Sequence, residues 1–147
     1  MSKELCRKVG EVGQDNLIAK PFPPAETFGV KIAAGQGVLA RGTVLAMTDA
    51  GTYIAAGSTF TRTIPPASEG GASTTETVTP PANCVLADPV DAGTSGTTPV
   101  TAVAYRTGHL NRKALIWAKN YTSTINDEEE LRKGGILLSC LLYTSDA

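Results

Sequence analysis

The chain has few of the side chains from which most active sites are built. Its 147 residues include one histidine, one tryptophan and three cysteines, and aromatic residues make up 5%. The one histidine, His109, could act as a catalytic base only beside a nucleophile, and the sequence contains no G-x-S-x-G nucleophile motif. The cysteines Cys6, Cys84 and Cys140 lack zinc-site spacing and cannot all pair within one chain, so we expect free thiols. The sequence therefore predicts no enzyme activity, no metal and no cofactor.

The charge balance and the hydrophobic pattern exclude two classes of partner. The chain has 13 basic and 14 acidic residues, a net charge of −1, so no summed positive field would attract nucleic acid. It contains no apolar run of about 18 residues, and its first residues lack the apolar core of a secretory signal. We therefore expect no nucleic-acid partner, no membrane partner and synthesis in a reducing cytoplasm.

What the chain has in quantity is turn residues, with 15 glycines and nine prolines between short apolar runs. This pattern predicts a mainly β, single-domain fold with one short α-helix. Residues 37–40, 43–47 and 52–54 are interpreted as an antiparallel meander of three strands. Residues 84–87 and 99–105 are interpreted as two further strands, followed by a turn at 106–109.

Two other segments have distinct patterns. Residues 56–83 are rich in Gly, Ser, Thr and Pro, and form either an exposed hairpin or a mobile loop. Asp127–Lys133 is predicted to be a helix, because Thr124 or Asn126 can cap it, acidic residues fill its first turns and Gly134 can end it. The acidic run could alternatively bind a metal, but charge at a helix end explains it better.

The expected core combines side chains from these strands, the helix and the last strand, 136–138. Six residues are predicted to form it: Val103, Tyr105, Leu115, Trp117, Leu131 and Ile136.

The two ends are interpreted as lying outside the domain, which we place at residues 30–139. Residues 1–29 are predicted to be an extended arm, because three prolines within 21–24 exclude a helix or central strand. The arm is either disordered or ordered only on a partner. Residues 140–147 back-translate to a sequence that resembles a transposon-end sequencing adapter, so we expect them to be read-through with no functional role.

Several of these features occur in a familiar order. They are the runs 42–45 and 53–54, Cys84 to Gly93, Val103-Ala104-Tyr105, Gly108, Leu115-Ile116-Trp117, the acidic helix to Lys133 and Gly135-Ile136. In order and spacing they resemble the phage lambda head-decoration protein family over about residues 35–138. The insert at 56–83 is longer than the family pattern.

The resemblance implies a structural protein of the virion, made in the host bacterial cytoplasm. It implies a homotrimer that binds the major capsid protein at threefold sites on the outer capsid surface, stabilises the head and touches the shell through an N-terminal arm. The arm residues expected to bind are Lys3, Arg7, Lys8, Lys20, Pro21, Phe22, Pro23 and Pro24.

Two other functions remain open from the sequence. One is a carbohydrate-binding or host-adhesion module with 56–83 as its contact surface, although few aromatics are available for stacking on sugars. The other is a small hydrolase using His109, or a glycosidase using a carboxylate pair such as Asp88 and Asp91, without an aromatic-lined cleft to support it.

Overall fold

The computed structural model describes residues 16–139, which form a mainly β fold with one short α-helix, as the sequence predicts. The strands are β1 (Ile18–Lys20), β2 (Glu26–Ile32), β3 (Val38–Leu39), β4 (Val44–Met47), β5 (Tyr53–Ala55), β6 (Phe60–Ile64), β7 (Thr74–Val78), β8 (Ala82–Leu86), β9 (Val90–Asp91), β10 (Val100–Asn111) and β11 (Ile136–Ser139). The helix α1 (Ile125–Gly134) follows a single 3-10 turn at Arg112–Ala114.

Strand β10 organises the whole sheet. Its first part pairs with β2 on one side and β8 on the other, and β2 continues through β5 and β4 back to β8. These five strands form a closed ring. The last part of β10 extends beyond the ring and pairs with β11 in parallel and with β1 antiparallel.

The ring separates two hydrophobic clusters, and β4 and β8 contribute to both. Val44 and Val85 belong to one cluster, together with Leu131 of α1, whereas Leu45 and Leu86 belong to the other. Successive residues of a strand point to opposite faces, so a strand covered on both faces must be apolar at every position. This explains why residues 44–46 and 84–87 are continuous apolar runs.

The predicted meander is wrong in one of its pairings. Strands β4 and β5 pair antiparallel as predicted, but β3 pairs with β9, where Val38 faces Asp91, and forms a separate two-stranded sheet. The predicted turn at 106–109 is also wrong, because β10 runs on to Asn111 with a partner strand on each side. Both errors concern partners distant in sequence.

The helix is longer than predicted and is capped at Thr124. The Thr124 side chain accepts a hydrogen bond from the Asp127 backbone, and the Asp127 carboxylate accepts one from the Thr124 backbone, a capping box. The left-handed residue that ends the helix is Gly135, with φ of 112°, and not Gly134. Gly135 suits this position because glycine alone adopts such a φ at little cost.

Residues 56–83 contain the hairpin rather than the mobile loop. Strands β6 and β7 pair in register from Phe60–Val78 to Ile64–Thr74, as a two-stranded sheet outside both hydrophobic clusters. Arg62 joins this hairpin to the body, because its guanidinium donates to both oxygens of Asp49 at 2.5 and 2.9 Å, and to Glu76 at 3.1 Å.

This tether gives a pH-dependent prediction. The Arg62 hydrogen bonds hold the pKa of Asp49 below its usual range. A lowered pKa in the folded state means that the stabilisation is present above the unfolded-state pKa, about 3.9, and is lost as the pH falls through the folded-state value. An NMR titration should therefore find a low pKa for Asp49 in the wild type and an ordinary one in Arg62→Gln.

The matched control for that titration is Glu129, whose pKa is lowered by a different partner, Arg132. Its titration should be unchanged in Arg62→Gln. An Asp49 pKa that stays the same without Arg62 would show that the pair does not form in solution.

Candidate functional site

The N-terminal part of the described chain lies along the end of β10. Leu17 is buried in a hydrophobic cluster, its carbonyl accepts a hydrogen bond from the Asn111 backbone at 2.7 Å, and β1 pairs with β10 at Leu110 and His109. Strand β2, which begins at Glu26, belongs to the closed ring. The residues from Leu17 onward are therefore part of the folded domain, although the sequence suggested an arm up to residue 29.

Between β1 and β2, residues 21–25 form an exposed loop with an aromatic side chain at its centre. Phe22 is 76% exposed, although most large apolar side chains gain free energy by burial. It is flanked by Pro21 and Pro23, whose rings restrict the backbone. The loop thus presents a large apolar surface on a stiff backbone, which is typical of a binding residue.

Two side chains of β10 hold this loop in place. The Thr107 hydroxyl donates to the Pro24 carbonyl at 2.8 Å and accepts from the Glu26 backbone at 3.3 Å. Nδ1 of His109 lies 3.2 Å from the Phe22 carbonyl oxygen, which can only accept, so Nδ1 carries the proton. The sequence could not reveal these anchors, because they lie more than 80 residues from the loop.

His109 is therefore a structural contact and not a residue of an exposed turn. Its Nε2 lies 3.0 Å from the Ser139 hydroxyl, so the ring links the loop to the end of β11. The neighbouring Gly108 has φ of 149°, a backbone conformation that favours glycine, and it lies against Ala25. Loop, β10 and β11 form one connected surface.

The predicted arm residues fall into two groups. Lys20, Pro21, Phe22 and Pro24 are exposed and Pro23 is half-buried, all within the loop or at its start. Lys3, Arg7 and Lys8 lie outside the described residues, as does the predicted read-through at 140–147. At the other end of the loop, the side chains of Glu26 and Arg106 are 3.9 Å apart.

The predicted core residues are placed as follows. Leu115, Leu131 and Ile136 are buried in one cluster, with Tyr105 and Trp117 half-buried against it. Val103 is a correction, because it is 38% exposed. Its neighbours Ala102 and Ala104 face the core, and the alternation of a strand then turns Val103 outward.

Cys84 is buried, and the carboxylates of the acidic run have structural partners. Burial raises the pKa of the Cys84 thiol to about 12, so at neutral pH it is not a reactive thiolate. In the acidic run, Asp127 caps the helix, Glu128 pairs with Arg112, and the next two carboxylates pair with residues three positions ahead. Between residues 16 and 139, no three His, Cys, Asp or Glu side chains come close enough to hold a metal.

A comparison of the sequence with models of known protein families gives a match. The family model for bacteriophage lambda head decoration protein D matches residues 15–136, most of the chain. The chain belongs to this family. A search of curated proteins found no match. This head decoration protein is a phage structural protein associated with the capsid of the virion.

The described part contains no helix long and apolar enough to cross a membrane.

The match begins at residue 15, one residue before the described region, and ends at the first residue of β11. It therefore includes β1 and the Phe22 loop together with the closed ring. The loop belongs to the family domain and not to a separate extension. It is the best candidate in the described chain for contact with a capsid.

Proposed function

We propose that this head decoration protein binds the outer surface of the capsid as a trimer at threefold sites and stabilises the shell against internal pressure. Its partner is the major capsid protein, which it contacts through the segment N-terminal to β2. The observation that carries this proposal is the exposed Phe22 on a loop fixed by Thr107 and His109. The family match supports the role, and the loop geometry supports the place of contact.

A fixed loop favours binding because little conformational entropy is lost when the complex forms. Proline restricts the backbone on both sides of Phe22, and the hydrogen bonds to β10 fix its distance from the sheet. An aromatic side chain held in this way is the type of residue that dominates the free energy of many interfaces.

Strand β1 offers a second means of contact. Within the described region it pairs only with β10, so its other edge has free backbone groups that could accept a strand from the shell. Three such segments in a trimer would bind multivalently, and weak single contacts would add to a strong attachment.

Replacing Phe22 with alanine should weaken binding to undecorated capsids by at least about tenfold, since truncating a central aromatic residue of an interface commonly costs about 2 kcal/mol. Folding should be unaffected, because the side chain is exposed. The measurement is cosedimentation with purified capsids, combined with the thermal stability of the decorated shell.

A matched control is Ile64→Ala, which also removes an exposed apolar side chain, but from the β6–β7 hairpin. It should bind capsids like the wild type. Equal binding by Phe22→Ala and the wild type would exclude the loop as a contact, and failure of the wild-type protein to bind or stabilise any cognate shell would overturn the proposed function.

A further inference from the structure

A second surface shares no lining residue with the Phe22 loop and has no role in the function proposed above. It is a groove of about 460 Å³, which is within the size range of binding pockets. One side comes from residues around β3, including Val38, and the other from residues 116–119. Val38 is 74% exposed and Ile116 43% exposed, while Trp117 is half-buried. We refer to it as the β3 groove.

The path of the chain directs the N-terminal segment toward this groove. Because β1 is antiparallel to β10, the chain before Ile18 continues in the direction in which β10 ends. Leu17 lies beside Gly42, with its Cδ1 3.7 Å from the position of a β-carbon there. Gly42 in turn accepts a hydrogen bond from the backbone of Ile116, which lines the groove.

The 15 residues before Asn16 are long enough to reach the groove. An extended chain covers about 3.3–3.6 Å per residue, so Val12 can lie up to about 14 Å from Asn16, and Val9 up to about 25 Å. Both are aliphatic residues that can pack against Val38 and Ile116, the exposed apolar side chains of the groove.

Charge also fits the half of the segment that is nearer the domain. Lys119 is the one charged residue among those that line the groove. Residues 9–15 carry only acidic charges, Glu11 and Asp15, whereas the basic residues are confined to positions 3–8. An acidic, valine-containing stretch is therefore complementary to the groove.

We propose that residues 9–15 dock in the β3 groove of their own chain, with Val9 and Val12 against Val38, Ile116 and Trp117, and with Glu11 near Lys119. This leaves the basic residues 3–8 projecting from the groove. The docking does not depend on capsid binding. If residues 9–15 are docked, the groove limits the distance over which the basic residues 3–8 can contact a capsid. This consequence rests on the proposed function.

Trp117 provides a direct probe, because it is the only tryptophan in the chain. In the full-length Val9→Asp/Val12→Asp variant, acrylamide should quench its fluorescence at least about twice as efficiently as in the wild type. Ile64→Asp, on the hairpin, should leave the quenching unchanged. Equal quenching in all three proteins overturns the proposal, and so does protection of Trp117 that depends on protein concentration but not on Val9 and Val12, since a second copy would then occupy the groove.

Proteolysis tests the same contact with a substitution in the groove instead of in the N-terminal segment. A glutamate-specific protease should cleave after Glu11 at least about fivefold faster in Val38→Asp than in the wild type or Ile64→Asp, because cleavage follows the population of the undocked segment. The released fragment is measured by mass spectrometry. Equal rates in the three proteins contradict the docking. Capsid cosedimentation of the same proteins is a separate result, so failure of the docking and failure of the proposed function can be distinguished.

Discussion

Replacing Leu131 with alanine should lower the free energy of unfolding by about 3 kcal/mol, since a leucine truncated in a packed core costs about 2–5 kcal/mol. Leu131 is fully buried and is the one buried residue of α1. It packs in the cluster that contains Val85 and Ile136. Without its side chain the helix loses its main contact with the sheet. Denaturant unfolding followed by circular dichroism measures the effect.

The control is Leu137→Ala in the adjacent strand β11. The same atoms are removed there from a side chain that is 36% exposed, so the loss should be about 1 kcal/mol. If the two variants lost the same free energy, the helix would not be packed on the sheet as described.

Replacing Gly57 with alanine should cost about 3–4 kcal/mol. Gly57 has φ of 102°, which disfavours any side chain, and its new β-carbon would lie 2.3–2.7 Å from three atoms of the Tyr121 side chain. Tyr121 cannot move freely, because its hydroxyl donates to the Asp127 carboxylate at 2.6 Å. The substitution therefore strains the start of the hairpin insert and the cap of α1 together. Thermal and urea unfolding measure it.

Gly51→Ala separates the cost of the positive φ from the cost of the contact with Tyr121. Gly51 has a similar φ of 84°, but a β-carbon there would meet no atom within 4 Å. It should cost only about 1–2 kcal/mol, the backbone part of the effect. A Gly57→Ala variant no less stable than Gly51→Ala would mean that Tyr121 does not cover Gly57.

The sequence predicted those elements whose signals are local. The apolar run 84–87 marked a strand, and the sequence limited the helix cap to Thr124 or Asn126. The structure selects Thr124, which forms a capping box with Asp127. The hairpin within 56–83 was one of two alternatives, and threonine-rich segments favour strands only when a partner is present.

What the sequence could not predict is which distant segments meet. β3 pairs with β9 some 50 residues later, and Thr107 holds Pro24 across 83 residues. The arm boundary was misplaced for the same reason, since the prolines of the loop are visible in the sequence but the burial of Leu17 is not. A deletion that tests the arm without disturbing the core should therefore end at residue 15.

The position of the β6–β7 hairpin outside both hydrophobic clusters has a consequence for variation among related phages. Residues 65–73 between the two strands are all exposed, and no core side chain depends on them. Lengthening such a connection costs only about 0.6 kcal/mol for each doubling of its length. New sequence, including whole peptides, can be displayed at this tip while the ring, the helix and the Phe22 loop keep their structure.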